Sequence, residues 1–439
     1  MFIYHPDGDR HMRPNRWILL VLVILTALRA NAKESPRTAV IVDQAIGLFL
    51  DYAQFRQGTG ERYLEVYYQV PHNQFQFREK AGRYQAKFDV AVAVYDADQY
   101  QLIGDVWQQQ FSVDTIEETR LLSRYYLGQV SLTIPPQATA FMFTLEDHQS
   151  NRKVSVTQPL SPLDTSEIEI SDILFASMIE PVNEGSTEFI RGDLRVTPNP
   201  TRAYGEFYSD LFFYYELYTP QDLTNYQTLC QIYNDHGDTT LQKVIPIDAH
   251  STGQYGKLDL LQHPQGEYIL EVMVLNPNGT ISAQKRAKFS IRRSLFTQDY
   301  EVTLAQLSYI ATMEEYNWLK SLPPEQRVRG LLEFWKRRDP TPNTPTNEAL
   351  SLFYQRVKYA NEQFSFATRE GWETDRGRIF IKYGPPDQII DRPIELDRRP
   401  YIIWSYDHVE GRPGGRQFLF VDDTGHGFYK LYNLSEEDR

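Results

Sequence analysis

The sequence predicts a multidomain, mainly β protein: two immunoglobulin-like antiparallel β-sandwiches, followed by an α+β domain with three helices over an antiparallel β-meander. Three observations support this fold class. The chain has 439 residues, which is more than one hydrophobic core usually holds. Short apolar runs at period two recur as far as residue 291. Beyond residue 297 the apolar period becomes that of an α-helix.

The composition supports packed β cores and argues against two classes of partner. Apolar residues make up 41% of the chain, aromatic residues make up 13%, and 29 residues are tyrosine, a residue that strands favour. The formal net charge is −13. Nucleic-acid binding and adsorption to an anionic membrane both need a basic face. We therefore expect no nucleic-acid partner.

The N-terminal 32 residues have the pattern of an export signal. Arg10, Arg13 and Arg16 precede an apolar run, Trp17–Leu28, and Ala30–Ala32 follows as a small-x-small cleavage site. The run is shorter than the roughly 20 residues that a membrane anchor needs. We expect residues 1–32 to be a signal peptide, with translation starting at Met1 or at Met12. The mature chain would then be exported without a transmembrane span, to the periplasm, the outer surface or the medium.

Residues 38–165 are predicted to form the first β-sandwich. The run Leu64–Val70 alternates and is stopped by Pro71, and the longer run Tyr84–Tyr95 places Val90 and Val92 on one face. Further short runs follow at the spacing typical of β-sandwiches. Residues 166–188 are expected to be a linker with a possible edge strand.

Residues 189–293 are predicted to form the second immunoglobulin-like sandwich. Leu211–Tyr218 is too apolar for an exposed edge. Gly266–Val274, the turn Asn276–Gly279 and Ala287–Ile291 have the pattern of a closing hairpin. The first sandwich ends on the same pattern, which suggests a duplicated module.

Residues 297–439 are predicted to form one α+β domain, with helices in 297–368 and the meander in 369–439. Leu331 and Trp335 belong to one apolar helical stripe, and Phe353 and Val357 belong to another. The first meander strand is expected at Arg378–Tyr383, because its apolar residues recur at period two.

A motif in this last domain resembles the signature of a known family. The segment Gly371–Asp375 reads Gly-Trp-Glu-Thr-Asp, and the pieces Arg376–Arg378 and Tyr383–Asp387 follow it. Phe334-Trp335 and Arg338-Asp339-Pro340 agree with the same pattern. This arrangement is similar to the GWxTD-domain family. The resemblance implies an exported bacterial protein with a C-terminal domain of unknown function.

The motif has a structural and a binding interpretation. A large Trp372 ring suits the helix–sheet junction, Asp375 suits pairing with a guanidinium or backbone N–H groups, and Gly384–Asp387 suits a rigid turn. Alternatively, Asp375, Arg378 and Asp387 rim a pocket that has Trp372 as its floor. The candidate residues, structural or binding, are Gly371, Trp372, Thr374, Asp375, Arg376, Gly377, Arg378, Tyr383, Gly384, Pro385, Pro386 and Asp387.

Signatures of established chemistry are missing from the sequence. It has no His-Glu-x-x-His, Gly-x-Ser-x-Gly, Walker or dinucleotide glycine motif, and most histidines, among them His72, lie in or beside predicted turns. Cys230 is the one cysteine. We expect no cofactor and no metal. The leading hypothesis is a non-catalytic cell-envelope or secreted protein that binds or scaffolds protein or glycan partners. The alternative is an envelope-polymer hydrolase with its pocket at the motif.

Overall fold

The computed structural model describes residues 40–42, 45–57, 61–116, 118–120, 124–162, 168–183, 187–205, 210–219, 222–292, 299–340, 347–392, 399–407 and 415–432. The expected signal peptide and both candidate start methionines lie outside these residues. The described chain is mainly β, as the sequence predicts. In this part of the chain, no helix combines the length and the apolar character needed to span a membrane.

The first sandwich consists of two antiparallel sheets with one shared core. One sheet has the order β1-β2-β3-β7, with β1 Val40–Val42, β2 Leu48–Gln57, β3 Glu61–Pro71 and β7 Tyr125–Ile134. The other sheet has the order β4-β5-β8-β9, and β6 pairs with β5 as well. Its strands are β4 Arg78–Lys80, β5 Arg83–Tyr95, β6 Gln101–Val113, β8 Ala140–Asp147 and β9 Lys153–Pro159. Alternate residues of β5, such as Val90 and Val92, are buried against Leu64 and Val66 of β3. Period-two patterning therefore builds this core.

The second sandwich has the same two-sheet construction. One sheet contains β10 Glu169–Ile170, β11 Leu174–Pro181, β12 Ile190–Arg191, β13 Leu194–Pro198, β15 Asp210–Tyr218 and β18 Gly253–Asp259. The other contains β14 Ala203–Tyr204, β16 Gln227–Asn234, β17 Thr239–Pro246, β19 Gly266–Leu275 and β20 Ile281–Ile291. Strand β14 runs parallel to β20, and the other pairs are antiparallel.

The segment expected to be a linker, 166–188, supplies two strands to this second sandwich. Both β10 and β11 pair with β15. Ile170 and Phe175 belong to the buried core of the sandwich. The segment therefore contributes to the sheet and its core, and a single edge strand does not describe it.

The two sandwiches pack against each other through the outer faces of one sheet from each. Phe55 and Tyr67 of the first meet Leu174 and Tyr214 of the second in a buried cluster. A buried ion pair stands beside this cluster. Arg202 Nε and Nη2 donate to the two carboxylate oxygens of Asp51 at 2.7 and 2.5 Å, and the side chains are 2% and 4% exposed.

The C-terminal domain has five described helices where the sequence analysis expected three. They are α1 Tyr300–Leu307, α2 Met313–Lys320, α3 Pro324–Lys336, α4 Glu348–Phe364 and α5 Asp375–Tyr383. The meander consists of β21 Gln388–Arg392, β22 Tyr401–Tyr406, β23 Arg416–Asp422 and β24 Tyr429–Leu431, paired in that order. Helices and meander share one core, in which Trp335 and Phe353 lie with Trp404 and Phe420.

The prediction of a strand at Arg378–Tyr383 is wrong, because these residues lie in helix α5. Thr374 caps the start of this helix, and Gly384 ends it in a left-handed conformation at φ +85°. A short apolar run cannot separate strand from helix by its period alone. The two capping residues carry the stronger signal.

We expect Asp51→Ala to lower the free energy of unfolding by about 3–5 kcal/mol, because it leaves the buried Arg202 guanidinium without its counter-charge. Urea unfolding followed by far-ultraviolet circular dichroism measures the loss. Glu267→Ala is the control, since it removes an exposed ion pair with Arg292 that is worth at most about 1 kcal/mol. Equal losses in both variants would contradict the role given to Asp51.

Candidate functional site

The GWxTD motif forms a 3₁₀ turn, Gly371–Glu373, that leads directly into helix α5. The Thr374 hydroxyl donates to the Gly371 carbonyl at 2.7 Å and accepts from the Gly377 N–H at 3.1 Å. The threonine thus links the turn to the first turn of the helix. This is ordinary N-capping with a second bond that fixes the approach of the chain.

Two glycines of the motif allow backbone to meet backbone. A Cβ atom on Gly371 would lie 1.8 Å from the Ala360 carbonyl oxygen of α4, and one on Gly377 would lie 1.9 Å from the Gly371 carbonyl oxygen. Both distances are far inside van der Waals contact. The 3₁₀ turn therefore packs closely against both α4 and α5. Any side chain at Gly371 or Gly377 would prevent this spacing.

Trp372 is held in place by three hydrogen bonds. Its backbone N–H donates to Asn361 Oδ1 at 3.0 Å, and its indole N–H donates to Glu370 Oε2 at 2.6 Å. The Tyr309 hydroxyl donates to its carbonyl at 3.1 Å. The residue as a whole is 8% exposed. Trp372 therefore joins the segment just after α1, helix α4 and the motif turn as part of the core.

Asp375 connects helix α5 to the last meander strand. Its Oδ2 accepts from the Leu431 N–H at 2.9 Å, and its Oδ1 accepts from Arg378 Nη2 at 3.2 Å. These are the two kinds of partner that the sequence analysis considered. The side chain is 35% exposed, so its contacts are only partly desolvated.

Arg376 lies between two aromatic rings. Its guanidinium carbon is 5.1 Å from the Phe364 ring centre and 4.7 Å from that of Tyr429. Burial lowers the pKa of Arg376, but an arginine stays protonated at any physiological pH. The residue contributes cation–π contacts between α4, α5 and β24.

The second half of the motif packs the far end of α5 against the meander. The Tyr406 hydroxyl donates to the Gly384 carbonyl at 2.9 Å, and Arg416 Nη1 donates to the Tyr383 hydroxyl at 2.9 Å. Beyond the half-buried Pro386 and exposed Pro385, Asp387 Oδ2 accepts from the Asp407 N–H at 2.6 Å.

The structure does not bring the residues of the postulated pocket together. Asp375 and Arg378 pair at the start of α5, whereas Asp387 follows its end. A nine-residue helix separates these positions by about 13 Å. In the described chain Trp372 is hydrogen-bonded to Tyr309, Asn361 and Glu370 and does not form the open floor of a pocket.

A cavity of about 470 Å³ lies elsewhere, where the two sandwiches meet the C-terminal domain. Its lining includes His72 and Arg124 from the first sandwich, Phe189 and Arg195 from the second, and Glu348 from α4. The sequence does not predict this site, because its residues come from segments hundreds of positions apart and no local motif joins them. His72, which the sequence places in or beside a predicted turn, is only 6% exposed.

Two further features concern possible metal ligands and the cysteine of the described chain. Among its residues, no group of three or more His, Cys, Asp or Glu side chains is placed to hold a metal ion. Burial raises the pKa of the Cys230 thiol to about 12, and the side chain belongs to the second core. Such a thiol is inert at neutral pH.

An ion pair supports the helical layer of the domain. Arg338 Nη1 and Nη2 donate to the two carboxylate oxygens of Glu315 at 2.7 and 2.5 Å, and the guanidinium carbon lies 3.8 Å from the Phe334 ring centre. The Arg338 guanidinium holds the pKa of the Glu315 carboxyl at about 2, well below its usual 4.5. Glu315 also forms a capping box with Thr312 at the start of α2.

Comparison with known proteins identifies the C-terminal region. The family model of the GWxTD domain matches residues 278–439, from the turn before β20 to the end of the chain. Residues 278–439 are therefore a GWxTD domain. Among curated proteins no match was found.

Solved structures give only weak likenesses. The transglutaminase of red sea bream has 9% identity and a TM-score of 0.18, over 56% of this chain and 31% of that one. The Bifidobacterium dentium β-glucuronidase has 12% identity and a TM-score of 0.20, over 60% and 49%. The fibronectin(III)-like modules of Clostridium thermocellum CbhA have 8% identity and a TM-score of 0.17, over 54% and 89%. At these scores the likeness carries no information about activity.

We expect Gly377→Ala to destabilise the C-terminal domain by about 3 kcal/mol or more, because the added methyl group collides with a backbone carbonyl that cannot turn away. Four of the six tryptophans lie in this domain, so urea unfolding followed by tryptophan fluorescence reports on it. In the control, Gly266→Ala, the new Cβ would be 3.6 Å from its nearest neighbour, and the change should stay within about 1 kcal/mol. A neutral Gly377→Ala would refute the close packing.

We expect the Glu315–Arg338 pair to make stability depend on pH. The folded-state pKa of Glu315 lies below its unfolded value, so the contribution is complete above about pH 5 and is lost as the pH falls towards 2. Glu315→Gln keeps the capping box but removes the charge. The variant should be less stable by about 1–2 kcal/mol at pH 7, with the difference shrinking as the pH falls. Urea unfolding at pH 7, 5 and 3.5 measures this, and a constant difference would contradict the assignment.

Proposed function

We propose that this chain is an exported, non-catalytic protein of the cell envelope or the extracellular space that binds or scaffolds partner molecules. In this proposal the two sandwiches are immunoglobulin-like modules that present binding surfaces. The GWxTD domain is a rigid unit packed at their C-terminal side. The partners considered are proteins and glycans of the bacterial envelope.

The order of strands supports two related immunoglobulin-like modules. In the first sandwich β3 and β7 lie in one sheet, and β5, β6, β8 and β9 lie in the other. In the second, β15 and β18 pair in one sheet, and β16, β17, β19 and β20 lie in the other. The chain thus crosses between sheets at equivalent points in both, which favours duplication of one module.

Export is supported by the N-terminal pattern of residues 1–32 and by the scarcity of cysteine. The non-catalytic character is supported by the contacts of the motif. Thr374, Trp372 and Asp375 each direct their polar atoms to other groups of the same domain. The hydrolase alternative would instead need these residues to face a common substrate.

The observation that carries the binding proposal is the free edge of strand β6. In the described chain this 13-residue strand pairs only with β5. It contains no proline and no basic residue, which are the usual protection of an exposed edge. Tyr100 just before it, and Ile103 and Val106 within it, are 71%, 39% and 59% exposed. Such an edge can accept an extended strand from a partner.

The single charged residue of β6, Asp105, indicates which kind of partner strand could pair with its edge. Asp105 is exposed and lies opposite Val92 in the register of β5 and β6. A second copy paired around residue 105 would place two aspartates together, which is unfavourable. A partner strand with a lysine or arginine facing Asp105 avoids this repulsion. We therefore favour a different protein over a second copy.

The test is a pull-down from an envelope extract of the source cells with the tagged chain and its Val106→Lys variant. A lysine in the free edge should abolish strand addition, so the partner should be lost and the affinity of the purified partner should fall at least about tenfold. Met313→Lys changes a residue that is 75% exposed in a helix and should bind normally. Capture that survives Val106→Lys would exclude the edge as the binding surface.

A further inference from the structure

The cavity at the junction of the three domains has features of a built site that the proposed edge binding does not use. It lies at the C-terminal end of β6, where Phe111 and Val113 line it, whereas the exposed Ile103 and Val106 lie towards the start of that strand. Its volume of about 470 Å³ falls in the range of small-molecule sites, roughly 300–1,000 Å³.

His72 is one of two buried polar residues that line this cavity, the other being Thr197. The His72 backbone N–H donates to the Arg124 carbonyl at 2.8 Å, and its Nδ1 lies 3.1 Å from the Glu118 carbonyl oxygen. A carbonyl oxygen only accepts hydrogen bonds, so Nδ1 carries the proton. Burial also lowers the pKa of His72, which keeps the ring neutral at pH 7. Nε2, without a partner in the described chain, is then a hydrogen-bond acceptor available to a ligand hydroxyl or N–H.

Phe189 adds a strained backbone to the cavity wall. Its φ is +58°, a left-handed conformation that is costly for a large residue. Its carbonyl accepts from the Val196 N–H at 2.9 Å, which closes the loop against β13. Strain of this kind persists where the surrounding structure holds a side chain at a required position.

The charges of the cavity are nearly balanced; Arg83 pairs closely with Asp114 at 2.7 Å, whereas Arg124 pairs at longer range. Three arginines line it together with four carboxylates: Arg83, Arg124 and Arg195, with Asp114, Glu118, Glu188 and Glu348. Arg124 lies 3.8 Å from Glu118 and 3.5 Å from Glu348, longer than the roughly 2.8 Å of a strong charged hydrogen bond. A guanidinium group has five N–H donors, so Arg124 can still donate to a ligand, and the lining as a whole favours neither net charge.

We propose that this cavity binds a neutral, polyhydroxylated ligand, an oligosaccharide in chemical class. Hydroxyl groups can donate to His72 Nε2 and to the carboxylates, and they can accept from the guanidinium groups. The rings of Phe111, Tyr125 and Phe189 provide flat apolar surface for the C–H faces of a sugar.

Binding at this place would also join three domains. The Arg124–Glu348 pair crosses from the first sandwich to α4, and Phe189 and Arg195 belong to the second sandwich. A ligand that contacts all three walls stabilises their arrangement, and occupation should raise the unfolding temperature of the whole chain. This proposal is independent of the strand edge, so either can fail alone.

The experiment is isothermal titration calorimetry of the full tagged chain with soluble oligomers of glucose, mannose and N-acetylglucosamine, followed by thermal unfolding with each. At least one oligomer should bind and raise the unfolding temperature. His72→Phe keeps an aromatic ring but removes the acceptor, and it should weaken that binding about fivefold to tenfold.

Arg83→Gln gives a second variant that should fold, because Arg83 is 57% exposed, and it should also weaken binding. Arg292→Gln is the matched control, since Arg292 is half-exposed and does not line the cavity; it should bind as wild type. Failure of all three oligomer classes would overturn the oligosaccharide assignment. Binding that both cavity variants leave unchanged would overturn the location. A capped neutral peptide that binds instead, and is lost in His72→Phe, would replace sugar by peptide as the ligand class.

Discussion

The arrangement of the molecule depends on an arginine between the two sandwiches, Arg191, whose side chain is only 12% exposed. Arg191 Nη1 donates to Glu216 of its own sandwich at 3.1 Å, Nη2 pairs with Glu65 of the other, and the guanidinium stacks 3.9 Å from the Phe55 ring centre. Burial alone would lower the pKa of Arg191, but Tyr67 and the two glutamates raise it overall. A charge buried this way is tolerated only where its counter-charges stay in place, so it fixes one orientation of the two sandwiches.

That orientation also creates the cavity. The segment from Phe189 to Pro198 carries Arg191 in β12, and it carries Arg195 and Thr197 of the cavity wall in β13. One hairpin therefore holds the sandwiches together and lines the space between them. A change in the buried contact would move the wall of the cavity, because residues two to six positions apart in a paired hairpin cannot shift independently. The contact between the sandwiches and the proposed ligand site thus depend on the same hairpin.

The strands were predictable because burial alternates with sequence, as in β5, where Phe88, Val90 and Val92 all face the core. Helix α5 was mistaken for a strand, since Ile379, Phe380 and Ile381 are all buried and such a run has no decisive period. The strand role of residues around Phe175 was also missed, because it depends on pairing with β15, some forty residues later. The cavity could not be predicted at all, since its chemistry arises from contacts between domains and not from any local pattern.

The GWxTD signature itself describes packing in this chain. Its glycines set the distance between α4, the turn and α5, its threonine caps α5, and its aspartate bonds the Leu431 backbone of β24. Each polar atom used in this way is occupied in the folded domain, and a substrate would have to displace it at the cost of a lost hydrogen bond. The signature is therefore a guide to how the domain is built. The two surfaces proposed for binding, at β6 and at the three-domain cavity, lie outside the signature.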